Sequence, residues 1–178
     1  MPVGEADKGV GAEKGKAYYG LQSYYSSIDW WHDPIEKELF KHAGTLNTFL
    51  IRPSIVYGIT KKYNLMITTT IGMRMMNWGK PDKSIHHRTE TSASDFDNAN
   101  GGILGDSKII LRYLVKNTGM QNGFRIFTGG GVTIPSNNAL TSDPFFLDKS
   151  KLKEHRHFSL SNGTYNYILE AQVYYKRN

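Results

Sequence analysis

The 178-residue sequence contains no cysteine, and this absence excludes a disulfide scaffold and any thiolate metal site. It also contains no run of 18 apolar residues, which excludes a transmembrane helix. Gly, Lys and Glu predominate in residues 1–16, which have no apolar stretch of the kind that defines a secretory signal peptide. We therefore predict a disordered lead over residues 1–16. An exported protein with this start would have lost its signal or would naturally begin elsewhere.

Aromatic residues and glycine are abundant in this polar, basic chain. There are 11 Tyr, 8 Phe, 3 Trp and 18 Gly, and the formal net charge is +6. Such a mixture is unusual for helical enzymes. It is typical of proteins with many β-strands, including barrels that cross a membrane with a period of two.

Alternation between apolar and polar residues runs through most of the chain. In residues 48–60, for example, Phe49, Ile55 and Tyr57 lie on one face of an extended chain, and Arg52 lies on the other. Alternation over this length predicts strands, and charges that recur on one face indicate that this face is wet or paired. The predicted strands lie near residues 17–28, 45–60, 64–77, 106–116, 123–135 and 163–177.

The predicted strands are longer than most strands of soluble proteins. They have about 11–14 residues, whereas about five or six is the usual soluble length and about 9–11 suffice to cross a bilayer at a tilt. Their connections alternate between short turns (60–64 and 117–122) and long loops (29–44, 77–105 and 136–163). This alternation is typical of outer-membrane barrels. We therefore predict an all-β, antiparallel up-and-down transmembrane β-barrel, incomplete at about six long strands.

Six strands are too few for a closed bacterial barrel, since the smallest of these have about eight. An unpaired edge strand also cannot face lipid, because its backbone groups would find no partner there. We therefore expect further strands, either C-terminal to these six or supplied by another chain in an oligomer.

Aromatic side chains cluster where the predicted strands end. Tyr and Trp favour the headgroup layer of a membrane, because part of each ring is apolar and another part forms hydrogen bonds. The predicted girdle at the short turns contains Tyr57, Tyr63, Tyr113 and Tyr175, and the one at the long loops contains Trp30, Trp31 and Trp78.

A soluble lipocalin-like or β-sandwich module that binds a small ligand is the alternative. Its apolar face would point into a core, and alternation by itself does not distinguish an inward apolar face from one that contacts lipid. The two interpretations differ in where four apolar side chains point: Ile55, Ile71, Leu111 and Leu169. Side chains that point outward indicate a membrane barrel, and side chains that point inward indicate a soluble protein. A structural or interaction role of the long loops is a third interpretation.

Four stretches, taken in order, resemble a family of Gram-negative outer-membrane proteins labelled "putative MetA-pathway of phenol degradation". They are YGITKKYNLMITTTIG (57–72), GGILGDSKIILRYLVKN (101–117), FTGGGVTIPS (127–136) and NGTYNYILEAQVYY (162–175). The resemblance implies a location in the outer membrane of a Gram-negative bacterium. It also implies a porin-like transporter for passive uptake of small, often hydrophobic compounds.

The polar face of these strands carries more cations than carboxylates. If the apolar face points outward, a basic lumen would attract anions, because charges in a low-dielectric wall select ions by sign. We therefore expect small anionic or aromatic solutes. The alternative is that these groups form cross-strand salt bridges and plug contacts. The candidate ligand-binding residues of the lumen are Arg52, Arg74, Lys108, Arg112, Arg125 and Glu170.

No cofactor, metal site or enzymatic activity is predicted. The six histidines fall in predicted long loops without the spacing of metal ligands, and none is set with a serine and an acid as in a hydrolase. The charge of the basic run 149–157 suits contact with lipopolysaccharide phosphates or nucleic acid, but such a run more commonly forms a solvated loop. Nucleic acid is therefore not an expected partner. The expected partners are outer-membrane lipid, lipopolysaccharide and a small-molecule solute.

Overall fold

The structure, a computed structural model, describes residues 11–34, 41–78, 91–95, 98–119, 121–141 and 159–177. Within these residues the protein is all-β, with six antiparallel strands that form a curled half-barrel. None of the described residues forms a helix with the length and hydropathy that a membrane span requires. The strands are β1 (Ala17–His32), β2 (His42–Gly58), β3 (Tyr63–Trp78), β4 (Leu104–Asn117), β5 (Gly123–Ile134) and β6 (Asn166–Lys176).

The strands pair in sequence order from β1 to β6, and every pair is antiparallel. This confirms the predicted all-β, up-and-down arrangement. Short turns join β2 to β3 and β4 to β5 at one end of the sheet, which we call the short-turn end. The other connections are longer and lie at the opposite, long-loop end. Among the described strands, β1 pairs only with β2 and β6 only with β5, so both edges of the sheet are open.

The first hairpin is longer than the sequence predicts. The pattern predicts a loop over residues 29–44, but β1 continues to His32 and β2 begins at His42. Trp31 still pairs with Ala43 in this extension. The charged and histidine residues of this segment favour a loop when the sequence is considered alone. In the structure, each strand supplies the backbone hydrogen-bond partners that stabilise the other. Four histidines and the basic run lie outside the described residues: His86, His87, His155 and His157, and 149–157.

Two β-bulges change which side chains share a face. One interrupts the pairing of β3 with β4, and the other lies between Leu114 and Lys116 on β4. The second bulge places Lys116 opposite Ile126. Simple alternation assigns Lys116 to the polar face with Arg112, and this assignment is wrong. The extra residue of a bulge reverses the alternation beyond it.

Residues 11–16, which we call the inner strap, are packed on the sheet. The Gly58 N–H donates to the Lys16 carbonyl oxygen at 3.0 Å, which extends the β1–β2 ladder, and the chain turns where the Lys16 N–H donates to the Glu13 carbonyl oxygen at 2.9 Å. Ala12 is 6% exposed. The predicted disorder is therefore wrong for residues 11–16, because their small side chains fit a contact that composition does not reveal. Residues 1–10 lie outside the described residues.

The two faces of the half-barrel differ in exposure. On the inner face, which the strap crosses, Val56, Met66 and Ile110 are almost completely buried. On the outer face, Leu111 is 44% exposed and Leu169 is 94% exposed. The apolar face that the alternation defines is therefore the exposed, outer face of the sheet.

Candidate functional site on the inner face

All six candidate lumen residues lie on the inner face. Directly paired residues of neighbouring strands point to the same face, so the register of the ladders assigns each side chain. Arg112 and Glu170 belong to one row that crosses four strands near the short-turn end. The members of this row are Asn64, Arg112, Gly129 and Glu170.

Arg112 and Glu170 form a bidentate ion pair across β5. Arg112 Nε donates to Glu170 Oε1 at 2.5 Å, and Arg112 Nη2 donates to Glu170 Oε2 at 2.8 Å. Gly129 occupies the position between them. A Cβ atom at Gly129 would lie 3.2 Å from Arg112 Cγ and 3.0 Å from the Leu111 carbonyl oxygen. Because Gly129 has no side chain, the Arg112 side chain has room to extend across β5 to Glu170 on β6.

The other candidate cations are spread along the inner face. Arg74 Nη1 donates to the Ser159 carbonyl oxygen at 3.4 Å, and Arg125 Nε donates to Asn117 Oδ1 at 3.3 Å. The side chains of two further cations are exposed: Arg52 and Lys108. Among the described residues, the inner face therefore carries more cations than carboxylates, and the Arg52 and Lys108 side chains are exposed there.

An apolar cluster beneath the inner strap is not predicted by alternation. Ala12 packs with Val56, Met66 and Ile110. The Ala12 N–H also donates to the Oδ1 atom of the buried Asn64 at 2.5 Å. Val56 and Met66 are apolar exceptions on the polar face of their strands, and this departure is the signal in the sequence that marks the cluster.

The described parts of two long connections meet around Asn138 at the long-loop end. Asn138 Nδ2 donates to the carbonyl oxygens of Ser92 at 2.8 Å and Gly102 at 2.6 Å, and its Oδ1 accepts the Leu160 N–H at 3.0 Å. Asn138 is 2% exposed. One side chain therefore joins the β3–β4 and β5–β6 connections, and the sequence reasoning above did not identify it.

The residues that distinguish a membrane barrel from a soluble module share the outer face. Leu111 and Leu169 are exposed there. Ile55 and Ile71 belong to the same face by register and are partly exposed. The soluble alternative predicts all four side chains in a core; in this structure two of them are exposed and two are partly exposed.

Aromatic side chains form a band on the outer face near the short-turn end. The ring centroids of Tyr63 and Tyr113 are 5.0 Å apart, and those of Phe124 and Tyr175 are 5.1 Å apart. Both pairs join neighbouring strands directly across the ladder. The band therefore crosses at least four of the six strands, β3 to β6.

The tryptophans at the long-loop end do not all lie on the outer face. Trp31 is 59% exposed, and the Lys41 Nζ atom lies 4.1 Å from its ring centroid. Trp30 pairs with Gly44 on the inner face, because successive residues of a strand point to opposite faces. Trp30 therefore lies at the long-loop end but on the inner face, so it does not add to an aromatic band on the outer face.

Comparison of the chain with protein-family models, curated proteins and solved structures finds no match. In the part of the chain that the structure describes, no group of three or more His, Cys, Asp or Glu side chains is placed to hold a metal ion. The function is therefore argued from the two faces of the sheet, one apolar and exposed and the other basic and partly covered.

Proposed function

We propose that this chain forms part of the wall of an outer-membrane β-barrel of a Gram-negative bacterium, through which small solutes diffuse passively. The observation that carries this proposal is the exposure of the apolar face. Monomeric soluble proteins rarely expose apolar patches larger than a few hundred Å², whereas a wall that faces lipid requires one. Exposed large apolar side chains of the outer face are Tyr19, Leu21, Tyr25, Phe49, Tyr57, Leu111, Tyr167, Leu169, Val173 and Tyr175.

The dimensions of the sheet support the same proposal. Its strands have 11 to 17 residues, and about 9–11 suffice to cross a bilayer at a tilt. The aromatic band at the short-turn end suits a headgroup layer. In this arrangement outer-membrane lipid contacts the outer face, and lipopolysaccharide contacts the long-loop end. The resemblance of four stretches to the phenol-degradation family points to the same location.

The charge of the inner face favours small anions, including anionic aromatic compounds. Glu170 neutralises Arg112, but Arg52 and Lys108 are exposed to whatever enters the half-barrel. Exposed cations in a low-dielectric wall raise the local concentration of anions. The described parts of the two connections that Asn138 joins act as the gate of the long-loop end.

The open edges of β1 and β6 require partners in a membrane, because unpaired backbone groups are not tolerated in lipid. β1 runs from the short-turn end to the long-loop end and β6 runs back. An even number of additional strands, from this protein or from another chain in an oligomer, therefore closes an antiparallel barrel.

Hydrogen exchange in lipid vesicles tests this closure. Some backbone N–H groups of β1 and β6 point away from the neighbouring strand, at the open edges of the sheet. We expect these groups to exchange as slowly as the N–H groups of β3, because all of them are paired in the assembled wall. Fast exchange at both edges of a membrane-inserted protein would contradict closure by further strands.

The substitution Leu169→Arg tests the membrane location. In a bilayer, an arginine near the midplane of a lipid-facing strand costs about 2–4 kcal/mol. In water, a change at a side chain that is 94% exposed alters stability by about 0.5 kcal/mol or less. We therefore expect Leu169→Arg to reduce insertion into phospholipid vesicles strongly. Asn162→Arg, at an exposed loop position, is the control. Equal insertion of both variants would exclude lipid contact at Leu169.

A further inference from the structure

The inner strap crosses the inner face over four strands. Ala12 contacts the apolar side chains of β2, β3 and β4. The preceding residue, Gly11, approaches β5, because a Cβ atom there would lie 3.4 Å from Cζ of Phe127. The strap therefore covers a strip that reaches from β2 to β5.

The strap covers this strip with a small side chain and few polar bonds. One methyl group, that of Ala12, fills the apolar cluster, and one N–H group bonds to Asn64. Gly15 and Gly58 add a backbone bond of 2.7 Å where the strap joins the sheet. A Cβ atom at Gly58 would collide with the carbonyl oxygens of Ala12 and Glu13. The strap thus has the chemistry of a small ligand, namely an apolar body with one hydrogen-bond donor.

We propose that the inner strap occupies a binding site for a small apolar solute that carries one N–H or O–H group. The apolar body of the solute takes the place of Ala12 against Val56, Met66 and Ile110, and its donor bonds to Asn64 Oδ1. The strap and the solute compete for the site, so the strap must move aside before the solute binds. This proposal rests on the proposed function in one respect: in the proposed barrel, the inner face lines the path that the solute takes.

The site combines a buried apolar floor with one polar group that fixes orientation, as small-molecule sites commonly do. Asn64 is 4% exposed, and a buried amide oxygen that loses its donor is costly. A solute without a donor would leave this oxygen unsatisfied. The site therefore favours solutes with a donor over those of equal size without one.

Binding of indole and of 1-methylindole to the protein in detergent micelles tests the proposal. The two probes have nearly the same apolar body, but only indole carries an N–H group. Two variants displace the strap by different routes: Gly58→Ala collides with it, and Ala12→Glu places a charge in the apolar cluster. The control is Gly130→Ala on the outer face, where a Cβ atom would have only an ordinary contact of 3.7 Å with the Ile168 carbonyl oxygen.

Displacing the strap should raise the affinity for indole about tenfold in both variants, because apparent affinity rises with the fraction of open sites. Gly130→Ala should bind indole as the unmodified chain does. Indole should bind the open variants about fivefold more tightly than 1-methylindole, and the additional change Asn64→Leu should abolish this difference.

The results separate this proposal from the proposed function. Equal affinity for the two probes in the open variants, or no gain in indole affinity on displacing the strap, overturns the proposal whether or not the chain conducts in bilayers. A preference for indole that depends on Asn64 supports the proposal. If a protein with that preference stays out of vesicles, the proposed membrane function fails alone.

Discussion

Gly129 lies between Arg112 and Glu170 and leaves room for their ion pair on the inner face near the short-turn end. Arg112 is 1% exposed, and the side chain of Glu170 is 18% exposed. A buried guanidinium is tolerated because the carboxylate partner is close and bidentate. Gly129 permits this pairing, because it leaves the space that the Arg112 side chain crosses.

Replacing one partner of this pair should cost more than replacing both. Glu170→Gln removes the charged carboxylate that accepts two hydrogen bonds from the buried Arg112 guanidinium, and we expect a loss of about 3 kcal/mol in the free energy of unfolding. The double change Arg112→Met with Glu170→Met removes both charges and should lie within about 1 kcal/mol of the unmodified protein. Chemical denaturation followed by circular dichroism measures both. Equal losses in the single and double variants would show that the pair is not electrostatically coupled.

At the scale of single elements, the Asn138 side chain and main-chain hydrogen bonds together join the two connections at the long-loop end. The Asn100 N–H, for example, donates to the Ala139 carbonyl oxygen at 3.0 Å. Asn138 satisfies backbone groups of Ser92, Gly102 and Leu160 at once. These groups belong to segments far apart in the sequence, so no local interaction replaces the side chain. In the described residues, the gate that we assign to the long-loop end therefore combines this side chain with main-chain bonds such as that from the Thr141 N–H to the Asn98 carbonyl oxygen at 2.7 Å.

Asn138→Ala should open this end of the molecule. The substitution leaves the Gly102 carbonyl oxygen and the Leu160 N–H without their side-chain partner, and we expect destabilisation by about 2 kcal/mol. The Ser92 carbonyl oxygen keeps the Gly102 N–H as its donor. Asn137→Ala, at the exposed neighbouring position, is the control and should change stability by about 0.5 kcal/mol or less. Limited proteolysis should cut the β3–β4 and β5–β6 connections faster in Asn138→Ala alone. Identical proteolysis in both variants would mean that Asn138 does not hold the connections together.

At the scale of the whole molecule, the proposed barrel has an apolar wall and a basic lumen. We expect Arg52→Gln with Lys108→Gln to lower the anion preference of single channels several-fold, because both side chains are exposed on the inner face. Reversal potentials in a salt gradient measure this preference. The control is Lys61→Gln with Lys62→Gln, which removes the same amount of charge from an exposed short turn and should leave the anion preference unchanged. An equal shift in both double variants would mean that net charge, rather than the lumen surface, sets selectivity.

The sequence by itself determined the all-β class, the six strands and, except beyond the two bulges, which side chains share a face. Period-two alternation is local, so residues such as Leu111 and Arg112 are assigned to opposite faces without any knowledge of their neighbours. The candidate cations were found for the same reason, since each one follows from its place in its own strand.

Only the tertiary structure decided how those faces are used. Alternation cannot fix the direction in which a sheet curls, so the exposure of Leu169 depended on the packing of all six strands. The bond from Ala12 to Asn64 joins residues 52 positions apart, and the pair of Arg112 with Glu170 spans 58 positions. Contacts of this range leave no periodic trace in the sequence, because they depend on register, bulges and absent side chains in strands that meet only when the chain folds.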